Sequence, residues 1–175
     1  WSYACDATLM KEKYFPARLQ FLSKLIAVLG DRHEKNLAVA EDGCGSGVDL
    51  YVLNALLGDK VTLTGIDRNA ASLARAKGRV PNVTFMPDFD GSTFDVIYAD
   101  FVSIETNKMW EIGKRGAQIF DVLRSPGVVM QNADMRQLGL YLDFFGAKFS
   151  RVIPPELLAE VKGLPGCYLC RFEKD

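Results

Sequence analysis

The stretch Glu41-Asp42-Gly43-Cys44-Gly45-Ser46-Gly47 decides the fold. Asn36 to Ala40, just before it, reads as a buried strand. Val48 onward shows the apolar spacing of a helix. Glycines at alternate positions let the backbone turn tightly and let a ligand approach where a Cβ would clash. The helix that follows aims its first N–H groups at whatever sits there. A dinucleotide-binding turn would need G-x-G-x-x-G. Counted from Gly43, its last place falls on Val48, so the fit is imperfect.

Outward from this loop, short apolar runs alternate with helix-period segments. Phe15-Pro16 opens a helix with Leu19, Leu22, Ile26 and Leu29 on one face, stopped by Gly30. Val48, Tyr51, Val52, Ala55 and Leu56 form the next stripe, ended by Gly58. Val61 to Ile66 is a strand. Ala70, Leu73, Ala74 and Lys77 share a face of a third helix, ended by Gly78. Strands follow at Asn82 to Met86 and Phe94 to Ala99. Ile112, Gly116, Ile119, Phe120 and Leu123 mark a helix that Ser125-Pro126-Gly127 breaks, and Val128 to Gln131 resumes as strand. Leu138, Tyr141, Leu142 and Phe145 make a last helical stripe before Gly146. Strands near Lys148 to Ile153 and Cys167 to Phe172 close the chain, separated by Pro154-Pro155 and Leu164-Pro165-Gly166.

This alternation predicts an α/β fold: a doubly wound, mostly parallel seven-stranded sheet with helices on both faces. The last two strands lack a long helix between them and are expected to pair antiparallel at one edge. Ligands in such sheets bind beyond the carboxyl ends of the strands, at the switch in strand order.

Composition agrees with one globular domain spanning residues 1–175, with residues 1–35 as an N-terminal helical or lid segment. The chain is 49% hydrophobic and 25% charged, which excludes a disordered polymer. Its 21 Lys+Arg against 22 Asp+Glu argue against gripping nucleic acid by bulk charge. No apolar run reaches the roughly 20 residues of a membrane span. Four cysteines are too few for a secreted disulfide scaffold, so a cytoplasmic protein is expected. The first residue is Trp1, not Met, which leaves room for a missing N-terminal segment.

Acid-x-Gly-x-Gly-x-Gly resembles motif I of the class I, Rossmann-like S-adenosylmethionine-dependent methyltransferases. The resemblance runs in order from Leu37 to Val129. It implies S-adenosyl-L-methionine as cofactor, its methionine part wrapped by Gly43, Cys44, Gly45 and Gly47, and its cationic amino end held by Glu41. A carboxylate suits a sulfonium or an ammonium and would repel a pyrophosphate, which favours this cofactor over NAD. Asp67 follows the glycines at roughly the 20-residue distance that suits ribose hydroxyls. The resemblance gives it that role, whereas local chemistry offers Asp67 or Asn69 as a helix N-cap. Arg68 stands where the family often has an apolar residue against adenine, and a guanidinium can also stack. The resemblance places Asp88 on the adenine amino group and Phe89 against its ring, with a turn-forming Asp as the local alternative. Phe94 to Phe101 resembles motif IV, which puts Asp100 beside the cofactor and the acceptor.

Methyl transfer is an in-line displacement that needs an oriented acceptor rather than covalent help from side chains. Asp100 is the candidate general base or acceptor-orienting group, and a cofactor contact or helix cap is its alternative. Ala99-Asp100-Phe101-Val102 lacks the Asp/Asn-Pro-Pro-Tyr/Phe of many amino-methylating relatives. Asp100, Asn132 and Asp134 match the metal-dependent catechol-type enzymes only loosely, and no metal is assigned. His33 reads as a solvated loop residue, and Tyr3, Tyr14 and Phe15 as candidates to cover the site. Cys167 and Cys170 would face opposite sides of a strand and so not form a metal pair. Arg68, Arg75, Lys77 and Arg79 read as a solvated face of the third helix.

The leading expectation is methyl transfer to an unidentified acceptor, a small molecule ahead of RNA or protein, with no membrane partner. Two rivals stand: a cofactor-binding or regulatory subunit of a larger methyltransferase, inactive alone, and an NAD- or nucleotide-binding domain. A partner subunit or further N-terminal residues would supply recognition that a chain of this length lacks.

Overall fold

The computed structural model describes residues 15–32, 36–100, 109–159 and 166–175. His33, Cys5, Tyr3 and Tyr14 lie outside these. Helix α1 is Phe15–Gly30, followed by strand β1, Leu37–Asp42, and helix α2, Val48–Leu57. A 3-10 turn, Gly58–Lys60, leads to β2, Val61–Ile66, then α3, Ala70–Arg79, and β3, Thr84–Met86. β4 is Phe94–Asp100, α4 is Met109–Val122, β5 is Leu123–Asp134 and α5 is Met135–Gly146. β6, Arg151–Ala159, and β7, Cys167–Lys174, complete the chain.

The seven strands form one sheet in the order β3-β2-β1-β4-β5-β7-β6. Strands β1 to β5 pair parallel. β7 runs antiparallel between β5 and β6, so the expected antiparallel pair sits at one edge, with β6 outermost. The central strands are buried almost end to end, because helices cover both faces. Alternate strand residues feed two cores. Val39, Val96, Tyr98 and Met130 pack with Phe21 and Leu25 of α1 and Leu50 and Leu53 of α2. Ala40, Ile97, Val129 and Phe172 pack with Ile119 of α4 and Tyr141 of α5. Each fully buried leucine or phenylalanine contributes about 1.5–3 kcal/mol.

The structure corrects several helix faces. In α1 the buried stripe is Ala17, Phe21, Leu22, Leu25 and Leu29, and Leu19 is 53% exposed. In α2 the expected stripe lies outside: Tyr51 is 54% and Leu56 64% exposed, while Asp49, Leu50 and Leu53 turn inward. Both apolar sets have helical spacing, and sequence period alone does not choose between them. Asp49 is drawn inward by Arg18 of α1. Gly78 lies within α3, which runs on to Arg79. Leu123 opens β5 rather than closing α4. The break at Ser125-Pro126-Gly127 is a register jump within β5, from Phe94↔Leu123 to Val96↔Val128. Pro154-Pro155 lies inside β6, at its irregularity, where an edge strand tolerates the missing N–H groups. Cys167 and Cys170 are both buried and belong to opposite cores, as the strand period requires.

Candidate functional site

Strand order reverses between β1 and β4, which flank each other while their connections leave in opposite directions. The glycine loop stands there. Gly43, Gly45 and Gly47 have φ of 81°, 52° and 71°, a left-handed backbone that only glycine adopts readily. The N–H groups of Gly43 and Cys44 both donate to the Ile66 carbonyl, at 2.7 and 2.9 Å, and fasten the loop to β2. A Cβ on Gly47 would lie 3.0 Å from the Ala76 Cβ, so that glycine serves packing against α3. A Cβ on Gly45 would meet nothing within 4 Å, and the space beside it is open to a ligand. Arg79 is exposed, as a solvated face requires, but it also donates to the carbonyl and hydroxyl of Ser46 and clamps the loop. Burial pushes the Cys44 thiol well up, so Cys44 offers the site its backbone rather than a thiolate.

Asp67 lies at the end of β2. Its Oδ2 accepts from Gly45 N–H at 2.8 Å and its Oδ1 from Asn69 N–H at 2.8 Å. Asn69 is the N-cap of α3, accepting from Ser72 N–H, so the capping role falls on Asn69. Arg68 is exposed.

Asp88 and Phe89 follow β3, and both meet a residue that sequence reasoning missed. Arg115 of α4 donates to Asp88 and to both oxygens of Asp42, and its guanidinium lies 4.4 Å from the Phe89 ring centroid. Burial opposes ionisation of Asp88, but the Arg115 and Phe89 N–H donors outweigh it and lower its pKa. Asp42 was legible only as a second acid beside Glu41 at the end of β1. Its partner, 73 residues away, was not.

On the other face of the sheet, Glu41, Asp49, Tyr98 and Asp100 gather under the N-terminal part of α1. Glu41 pairs with Tyr98 in the β1–β4 register. Arg18 donates to Asp49 Oδ1 at 2.7 Å and lies 3.3 Å from Asp100 Oδ2. Asn132, the β5 neighbour of Asp100, donates to its Oδ1 at 2.7 Å. Burial, then the Asp49 charge, raises the Asp100 pKa to about 6. The same two causes, in that order, push Glu41 well above the carboxylate range. The structure thus brings Glu41, the glycines, Asp67 and Asp100 to one rim, with Asp88 and Phe89 further along it. Arg18 and Asp49 were not foreseen. An acid in the first turn after the glycine loop was the available signal for Asp49.

A sequence profile described as a methyltransferase domain matches residues 33–139, and the chain belongs to that family. No curated protein matches the sequence. Among solved structures, the N-methyltransferase NodS from Bradyrhizobium japonicum in complex with S-adenosyl-L-homocysteine is similar, with TM-score 0.73 and 16% identity over 98% of this chain and 93% of that one. A TehB-like SAM-dependent methyltransferase from Corynebacterium glutamicum gives 0.71 and 17%, over 89% and 88%. The [4+2]-cyclase SpnF gives 0.65 and 14%, over 86% and 80%. At these identities the likeness is one of fold. The cyclase shows that the fold alone does not choose the reaction.

Proposed function

We propose that this chain is an S-adenosylmethionine-dependent methyltransferase acting on a small-molecule acceptor. The observation that carries the reading is the open side of Gly45, flanked by the buried Glu41 carboxyl and by Asp67. The site fits the cofactor: Glu41 Oε2 is buried with no hydrogen-bond partner among the described residues, and an ammonium would supply one. A pyrophosphate would find carboxylates there instead of donors.

When bound, the cofactor supplies an electrophilic methyl group. The chain's own residues do the rest. The glycine loop and Glu41 would hold the methionyl part, Asp67 the ribose, and Asp88 with Phe89 the adenine. Asp100 is held from two sides by Asn132 and Arg18 at the end of β4. With a pKa of about 6 it is mostly ionised at neutral pH and able to accept a proton from an acceptor. A cytoplasmic setting belongs to the same reading. Among the described residues no helix is long and apolar enough to cross a membrane.

Titration calorimetry with S-adenosylmethionine, S-adenosylhomocysteine and NAD tests the cofactor. Preference for NAD ends the reading. Transfer of labelled methyl groups into a metabolite extract tests the activity. A second reading, a cofactor-binding subunit that needs a partner, is favoured by the exposed apolar side chains of Phe15, Leu19, Tyr51 and Leu56 on α1 and α2. Tight cofactor binding with transfer only after a partner is added would select it.

A further inference from the structure

Glu41 is the penultimate residue of β1 and Asp49 stands in the first turn of α2, yet the two buried carboxyls lie close enough for each to act on the other's charge. They are 3% and 1% exposed. Glu41 Oε2 and Asp49 Oδ2 face no donor among the described residues. The Tyr98 hydroxyl lies against Glu41 without forming a well-aligned bond. Among the described residues, the charged or titratable groups around Glu41 are Arg18 from α1, Asp49 from α2, Cys44 from the loop, and Tyr98 and Asp100 from β4. Arg18 is the single cation among them, and it is taken up by Asp49 Oδ1 and Asp100. Two carboxylates this deeply buried beside one another, with Arg18 alone among the described residues and already held by Asp49 and Asp100, disfavour a doubly ionised state.

We propose that Glu41 and Asp49 act as one carboxyl pair that shares a proton in the ligand-free chain. The pair is the seat for the ammonium end of the ligand, and the proton leaves as the ammonium arrives. The charge balances: the pair loses H⁺ to solvent and gains one cation, so the site's net charge is unchanged. Asp49 is favoured as the ionised member by its Arg18 contact and by the α2 N-terminus, and the pair titrates as a unit. Asp49 thereby becomes a ligand-binding residue although it lies outside the glycine motif. The inference rests on the reading that an aminoacyl-bearing cofactor binds this loop.

The test is calorimetry of the full chain near pH 7 in buffers of different ionisation enthalpy, which counts protons exchanged on binding. S-adenosylhomocysteine and S-adenosylmethionine both carry the ammonium and should each release about one proton, whereas 5′-methylthioadenosine, which lacks it, should release none. Release with S-adenosylmethionine alone would assign the effect to the sulfonium and overturn the proposal. Glu41→Gln should abolish release and weaken both aminoacyl ligands while 5′-methylthioadenosine still binds, and release that persists in Glu41→Gln overturns the proposal. Should Glu41→Gln not fold, the native chain still decides. Its affinity for S-adenosylhomocysteine should rise about tenfold per pH unit around neutrality. Tight binding with no proton release and a flat pH dependence overturns this inference alone. No binding of either aminoacyl ligand overturns the functional reading and this inference with it.

Discussion

The main-chain N–H of Gly45 donates to Oδ2 of Asp67 at 2.8 Å, making the glycine loop and the end of β2 one unit. A residue placed to hold a ribose therefore also holds the loop. Asp67→Ala should weaken S-adenosylhomocysteine binding roughly tenfold or more, since each such bond is worth about 1–3 kcal/mol when its partner is lost. Asp67→Asn keeps an acceptor for Gly45 and should lose less. Equal affinity of Asp67→Ala and the native chain in calorimetry would remove Asp67 from the site.

The three glycines should separate on substitution. Gly47→Ala combines a left-handed backbone with a 3.0 Å approach to the Ala76 Cβ, and should cost about 1–3 kcal/mol of stability in denaturant unfolding. Gly45→Ala carries the backbone strain without the clash. Its methyl group would enter the open side of the loop, so its larger effect should be on cofactor affinity. A Gly45→Ala chain that binds normally would place the ligand elsewhere.

Arg115 and Asp42 are a partly buried ion pair, with side chains 13% and 10% exposed. Arg115→Met strands the Asp42 carboxylate and should destabilise the fold by about 3–5 kcal/mol. Pairing Arg115→Met with Asp42→Leu should recover much of the loss, because the buried charge is then gone and only the Asp88 carboxylate, 45% exposed, is left without its partner. Urea unfolding of both variants is the check, and a double variant no better than the single one would refute the argument.

Asp100 gives a pH dependence with a defined sign. Its folded pKa, about 6, lies above the ordinary 3.8, so the folded state holds its proton over a range where the unfolded state has released it. Stability should therefore fall as pH rises from about 4 to about 6, by about 3 kcal/mol from this residue, and change little from it above that. Asp100→Asn should flatten that window in unfolding experiments. If Asp100 is the base, methyl-transfer rates should rise through about pH 6 in the native chain, and Asp100→Asn should abolish that limb.

Much of this architecture was readable in one dimension. Val61 to Ile66 is a strand with the bounds the sequence suggested, because its Val, Thr and Ile residues favour a pleated, largely buried backbone. The positive φ angles at Gly43, Gly45 and Gly47 were equally legible, since glycine at alternate positions signals local backbone geometry. Helix faces were less so. Tyr51 and Leu56 have the spacing of a buried stripe, yet α2 turns Asp49, Leu50 and Leu53 inward. The site divides in the same way. Glu41, Asp67 and Asp100 stand at or within one residue of strand ends, and strand ends can be read from sequence, whereas Arg18, Asp49 and Arg115 act through distant partners.

The sequence by itself determined the strand–helix alternation, the glycine turn and the acids at the strand ends, because each depends on residues adjacent in the chain. Only the tertiary structure decided which charges meet: Arg18 with Asp49 across 31 residues, and Arg115 with Asp42 across 73. Coulomb and hydrogen-bond energies depend on distance through space and on burial, and neither quantity exists until the sheet has brought the helices together.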